Sequence, residues 1–328
     1  MPAIRALRKA YPGHACGILA SREVGNLYSR TGVINRNFPL EASFLAQLFT
    51  GPESVTPDFR DWLVRCDVAV CWMSDSAGCV RSTLQALGVR HVIAQSARVS
   101  DHLPIHQSDR LLSSLRQDLV KGVTEESCDG KLNLPDDVID EARELLRSMG
   151  VRDSHPIAVV HPGSGSRHKC CRPAVLAKTV DFLQACVNVP IVIEGPADED
   201  MVKLVCNQVE KPTVVLRHLD LLTVAGVLAQ AGLYVGHDSG LTHLAAVLGV
   251  PTIALFGPTD VRRWAPRGPN VRIVTGEVCQ CRTWETVQQC IRKPCLEISA
   301  EQVGQAIRDL LRVPSLKTRS SALPCHAS

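Results

Sequence analysis

Short apolar runs alternate with amphipathic helical stretches along nearly the whole chain. Residues 3–10 place Ile4 and Leu7 on one face with basic residues opposite, and Tyr11-Pro12-Gly13 stops that helix. Apolar strands are predicted at 15–20, from Val33-Ile34 onward, at 67–72 and at 89–94. The intervening spacing predicts helices over 22–30, 40–49, 57–65, 77–87 and 108–120. The second half repeats the alternation with strands at 157–161, 190–194 and 214–216 and helices at 173–185, 199–209, 222–231 and 299–312. Its densest stretch is Val235-Gly236-His237-Asp238-Ser239-Gly240, which reads as a buried strand and turn leading into a helix. A second buried strand follows and ends at Phe256-Gly257-Pro258-Thr259.

Strand–helix alternation of this kind predicts α/β architecture with parallel sheets. The pattern changes between Lys121 and Pro156. There a polar loop over 122–130 precedes an amphipathic helix over 135–149, with Pro135 at its start and Asp136-Asp137 complementing its dipole. The expected organisation is a first domain over 1–121, a linker and connecting helix over 122–156, a second domain over 157–313 and a frayed tail over 314–328. The halves share architecture but no internal repeat.

A chain of 328 residues suffices for two domains, each with its own core. Hydrophobic content of 45% and charged content of 21% are ordinary for a globular protein. A formal net charge of +3 without a basic stripe argues against nucleic acid as a partner. No stretch has the length of a membrane span, and the N-terminus lacks a signal-peptide pattern. Fourteen cysteines scattered through core segments suit reduced thiols in a cytoplasmic protein.

In an open parallel sheet, ligands bind at the carboxyl ends of strands beside helix N-termini. Ser239 and Gly240 lead such a helix and are placed to receive phosphate. Asp238 would repel phosphate, so it is expected to meet another part of the ligand or to hold the loop. Ser164 and Gly165 lie between a strand and a helix, where backbone N–H groups and a hydroxyl cradle a diphosphate or simply cap a turn. The run Gly163-x-Gly165-x-x-His168 lacks the third small residue of a dinucleotide fingerprint, so no nicotinamide cofactor is expected.

The chain resembles glycosyltransferase family 9, the heptosyltransferases of the lipopolysaccharide inner core. The resemblance lies in His161-Pro162-Gly163-Ser164-Gly165 with Lys169, Gly195-Pro196-Ala197-Asp198, Asp238-Ser239-Gly240 with His243, and Phe256-Gly257-Pro258-Thr259 with Trp264-Ala265-Pro266. It implies a GT-B fold, two Rossmann-like doubly wound domains facing across a cleft, the second holding the nucleotide sugar. It further implies metal-independent, inverting transfer from ADP-heptose or a similar donor to a lipopolysaccharide core or lipid A precursor acceptor. The protein is then expected at the cytoplasmic face, in peripheral contact with the inner membrane. Lys169 would neutralise the leaving ADP. Asp198, or Glu194, would accept from the ribose hydroxyls, with a helix N-cap as the ordinary alternative for Asp198. Asp238 would address sugar hydroxyls, and His243 either contacts the ligand or packs.

Three departures stand out. The family opens with a strand and a Gly-Asp loop whose aspartate is the general base, whereas Met1-Pro2 here already begins a helix. The first domain is therefore expected to lack a central strand, through an upstream start or a lost base. A non-catalytic sugar-nucleotide-binding protein and an epimerase of the same fold are the alternative functions. Asp75 is placed to substitute as base or to cap the next helix. Cys170-Cys171 stands where the family more often carries tryptophan near the lysine. Cys279, Cys281, Cys290 and Cys295 offer four thiolates in a spacing unlike paired Cys-x-x-Cys zinc sites, so reduced thiols or a reversible disulfide are expected ahead of zinc.

Overall fold

A computed structural model describes residues 1–97, 104–116, 119–120, 130–186 and 189–311. Most of the polar loop expected over 122–130 and the tail expected over 314–328 lie outside the described residues. The chain divides into two compact units, Met1–Gly130 and Lys131–Ser328.

In the first unit, the described strands form two separate parallel pairs. Strand β1 (Gly17–Ala20) pairs with β2 (Arg36–Pro39), and β3 (Val68–Cys71) with β4 (His91–Ala94). The β1–β2 pair packs on an aromatic cluster in which the Phe38 and Phe59 rings lie 4.7 Å apart and Trp62 meets Phe38 edge-on. Val33 and Ile34, expected to begin a strand, instead donate backbone N–H bonds to Tyr28 O and close the preceding helix, Arg22–Arg30. The helix expected over 40–49 is broken at Ser43, whose φ of 58° separates a single turn at Leu40–Ala42 from the helix Phe44–Thr50. The first helix, Pro2–Ala10, buries Ala3 and Ala6 against Leu112 and Leu115, with Leu7 half-buried against the same cluster.

The second unit is built on one six-stranded parallel sheet. Its strands are β5 (Ile157–His161), β6 (Val189–Ile193), β7 (Val214–Leu216), β8 (Leu233–His237), β9 (Thr252–Phe256) and β10 (Val271–Thr275). The spatial order is β10-β9-β8-β5-β6-β7. Strands β5, β8 and β9 are buried at every position, as their unbroken apolar runs require of strands covered on both faces. Helix Asp136–Ser148, preceded by Pro135, packs on helix Leu221–Gln230 at Gly226. A Cβ there would lie 2.7 Å from Ala142 Cβ and from Val138 O. Glycine is what lets the two helices approach so closely.

Successive strands run outward from β5 through β6 to β7, and the chain then returns to the other side of β5 with β8. The strand order therefore reverses between β5 and β8. Such a switch point is where open α/β sheets leave a crevice at the carboxyl ends.

Candidate functional site

Four motifs far apart in sequence meet at this reversal because they follow neighbouring parallel strands. Register pairs His161 with Gly236 and His237 with Leu255, so the segments after β5, β8 and β9 start side by side. The segment after β6 joins them from the other flank of β5.

Asp238 is the hub on the β8 side. Its carboxylate is nearly buried, and Oδ2 accepts from Lys169 Nζ at 2.8 Å and Thr259 Oγ1 at 2.8 Å. Oδ1 lies 4.0 Å from Nε2 of the more exposed His243. The Asp238 carbonyl accepts from Ser164 Oγ at 2.7 Å, tying the loop after β5 to the turn after β8. The awkward aspartate thus holds the loop and neutralises the lysine in one arrangement. Ser239 caps the helix Gly240–Val247, its Oγ accepting from Thr242 N at 3.4 Å. A Cβ at Gly165 or Gly240 would meet nothing within 4 Å, so open space adjoins both backbones.

Asp198, expected at ribose hydroxyls or as a helix N-cap, occupies the N-cap position of helix Glu199–Cys206, but its side chain, only 9% exposed, turns under the loop and makes no cap bond. Oδ2 accepts from His161 Nε2 at 2.9 Å and from Gly195 N at 3.1 Å. Burial alone would raise this carboxyl, but His161 and the backbone N–H groups of Gly195 and Ser164 outweigh it and hold the group below the usual carboxylate range. Gly163 is obligatory above it, since a Cβ there would sit 1.9 Å from Asp198 Cγ. Asp198 therefore ties the loop after β5 to the turn after β6 from below. Glu194, the other ribose candidate, is half-buried, and its carboxylate pairs with Arg217 Nε at 3.0 Å.

Two histidines of the quoted motifs, His161 and His237, were given no site role by the sequence. His161 joins Asp198 to Ser239, whose Oγ lies 3.4 Å from its Nδ1. His237 is fully buried, and its Nε2 accepts from Cys171 N at 3.0 Å, which fixes the segment carrying Lys169. Burial pushes His237 down to about 4, so it is neutral at physiological pH. Their only signal in sequence is a polar residue closing each apolar run. Burial also raises Cys170 and Cys171 to about 12, so both are packed, protonated thiols.

Asp75 caps its helix, Cys79–Ala86, accepting from Val80 N at 3.2 Å and Arg81 N at 3.0 Å. Among the described residues, no group of three or more His, Cys, Asp or Glu side chains is arranged to hold a metal ion. Cys279, Cys281, Cys290 and Cys295 are free thiols, Cys295 buried and the other three half-buried. No helix among the described residues is long and apolar enough to cross a membrane.

Comparison with known proteins identifies the family and the fold. The sequence profile of Glycosyltransferase family 9 (heptosyltransferase) matches residues 123–295, more than half of the chain. Lipopolysaccharide heptosyltransferase 3 of Escherichia coli K12 is 30% identical over 175 residues, covering 51% of this chain and 49% of that protein. The chain thus spans about half the length of this curated relative. Among solved structures, a family 9 glycosyltransferase from Veillonella parvula superposes with a TM-score of 0.78 at 17% identity, covering 94% of this chain and 92% of the other. The Escherichia coli heptosyltransferase WaaC with ADP superposes with a TM-score of 0.64 at 18% identity, covering 94% of each. At these identities the two structures speak to the fold, which is that of the GT-B heptosyltransferases.

Proposed function

The chain belongs to glycosyltransferase family 9, and on that premise we propose that it moves a heptose-like sugar from an ADP-sugar to an acceptor in the lipopolysaccharide core or its lipid A precursor. The observation that carries this reading is the convergence of Ser164, Lys169, Asp238 and Ser239 at the switch point of the second unit's sheet. In this reading the donor diphosphate lies over Gly165 and Gly240, whose backbones adjoin open space. The backbone N–H groups at the start of helix Gly240–Val247 then receive phosphate oxygens.

Lys169 gives one of its three ammonium hydrogens to Asp238 and has others for the leaving phosphate. Fixed donors thus meet the charge that develops on departing ADP, so transfer is proposed to proceed without a metal; inversion at the anomeric carbon is proposed on the family resemblance. Asp238 Oδ1 is the acceptor offered to a sugar hydroxyl. The names of a lipopolysaccharide heptosyltransferase and of a heptosyltransferase solved with ADP support these donor and acceptor classes. We place the reaction at the cytoplasmic membrane face, with the protein in peripheral contact.

The test is incubation of the full chain with ADP-heptose and a heptose-deficient lipopolysaccharide, with and without a chelator. The expected result is release of ADP, a gain of one heptose in the acceptor mass, and insensitivity to chelation. An epimerised nucleotide sugar with an unmodified acceptor would contradict the proposal.

A further inference from the structure

Among the described residues, two cations beside the candidate site, Arg167 and Lys293, form no ion pair with a carboxylate. Arg167 is exposed and opens the single turn Arg167–Lys169, which Ser166 caps, its Oγ accepting from His168 N at 3.3 Å. Lys169, at the end of the same turn, does have a carboxylate in Asp238. Lys293 is half-buried, and its Nζ lies 2.7 Å from His168 Nδ1. An ammonium only donates, so Nδ1 accepts, the imidazole hydrogen sits on Nε2, and Lys293 keeps further hydrogens for a ligand. Trp284 meets the same imidazole edge-on, with ring centroids 6.4 Å apart. The backbone at Lys293 is left-handed, with φ 46° and ψ 59°. Glycine or asparagine meets that demand most easily, so a lysine here is explained by its side chain and not by the turn.

We propose that Lys293 and His168, with Arg167 beside them, form a second anion site, separate from the switch point, that takes a phosphate monoester. Lys293 supplies ammonium hydrogens, His168 its Nε2–H and Arg167 a planar guanidinium fork, the donor types that phosphate oxygens accept from. The charges of Lys293 and Arg167 match the charge of about −1.5 to −2 on a phosphate monoester near neutral pH. A diester, with a single charge, leaves one cation unmatched. Gathering like charges without an anion costs free energy, and His168 registers that cost. Loss of solvent, then Lys293 and Arg167, hold its imidazole below the usual histidine range. A phosphate seated on these donors offsets both charges. Free phosphate and the headgroup of phosphatidic acid carry this same chemistry.

The test follows the His168 ring protons by NMR across pH in the full, nucleotide-free chain, with His168→Gln identifying the signal. The expected result is a midpoint below the usual value of about 6.5, which inorganic phosphate raises and sodium chloride at equal ionic strength does not. Lys293→Asn removes the charge but keeps a residue that tolerates the left-handed backbone. It should raise the midpoint by itself and abolish the response to phosphate, whereas Lys169→Ala should keep that response. Short-chain phosphatidic acid then separates the sources. A shift matching that of phosphate assigns a lipid headgroup, a response to phosphate alone assigns the free ion, and either supports the site. A midpoint that phosphate leaves unmoved, an equal shift from sodium chloride, or a response kept in Lys293→Asn or lost in Lys169→Ala would each overturn the proposal. No nucleotide enters the measurement, so it stands apart from the fate of the transferase reading.

Discussion

Replacing Asp198 by alanine separates the two roles this carboxylate has been given. The side chain accepts from His161 Nε2 at 2.9 Å and Gly195 N at 3.1 Å, and the Ser164 N–H adds a third bond. His161 can turn its proton toward Ser239 and recover part of its loss, but the two backbone donors have no such freedom. Each of the two backbone donors left unpaired costs about 1–3 kcal/mol, so Asp198→Ala should destabilise by about 2–6 kcal/mol, the lower end favoured because both donors are only half-buried. A domain stable by about 5–15 kcal/mol survives that, so the variant remains measurable. Asp198→Asn keeps one acceptor oxygen and should lose roughly half as much.

Urea unfolding followed by circular dichroism reads the stability, and calorimetry with ADP and with pyrophosphate reads the site. Because the anchor lies under the loop, affinity for both ligands should fall together. Unfolding within about 1 kcal/mol of wild type, with affinity lost for ADP and kept for pyrophosphate, would show the carboxylate reaching the ribose and refute the anchoring role.

Other consequences follow from the same geometry. His237 titrates near 4 when folded and near 6.5 when unfolded. Its contribution is therefore complete above pH 6.5 and is lost as pH falls toward 4, about 3 kcal/mol in all. Urea midpoints should be flat above neutrality and decline through that window, and His237→Gln should flatten the decline; an unchanged slope would exclude His237 as its source. Gly226→Ala should cost about 1–3 kcal/mol, because its Cβ meets Ala142 and the Val138 carbonyl at 2.7 Å; wild-type thermal stability would contradict the close helix approach. Thr259→Val removes one of the two short bonds to Asp238 Oδ2 and should weaken ADP binding several-fold while Lys169 holds the hub; a loss as large as that of Lys169→Ala would place the hub at Thr259 instead.

The second unit was legible in sequence where its strands are continuously apolar. Ile157–His161 and Thr252–Phe256 are buried on both faces, so nothing polar interrupts them. The strand Val271–Thr275 was missed because it lies at the sheet edge, where Arg272 and Thr275 face solvent and break the run. Helices Val261–Trp264 and Trp284–Gln289 are too short to show a period.

The candidate site residues could be picked out for a related reason, since turns at carboxyl ends of buried strands are where ligands sit. Their partners were not. Asp198 is 37 residues from His161, and Asp238 is 69 from Lys169. Only the strand order brings each pair together, and nothing local to Asp198 distinguishes a carboxylate under a loop from one above it.

The central claim, that the switch point of the second unit binds the ADP part of a sugar donor through Lys169, is tested most directly by calorimetry. ADP titrated into wild type and Lys169→Ala, with circular dichroism confirming the fold, should bind about 10–100-fold more weakly to the variant, the worth of a hydrogen bond to a charged group. Equal affinity in the two proteins would contradict the account.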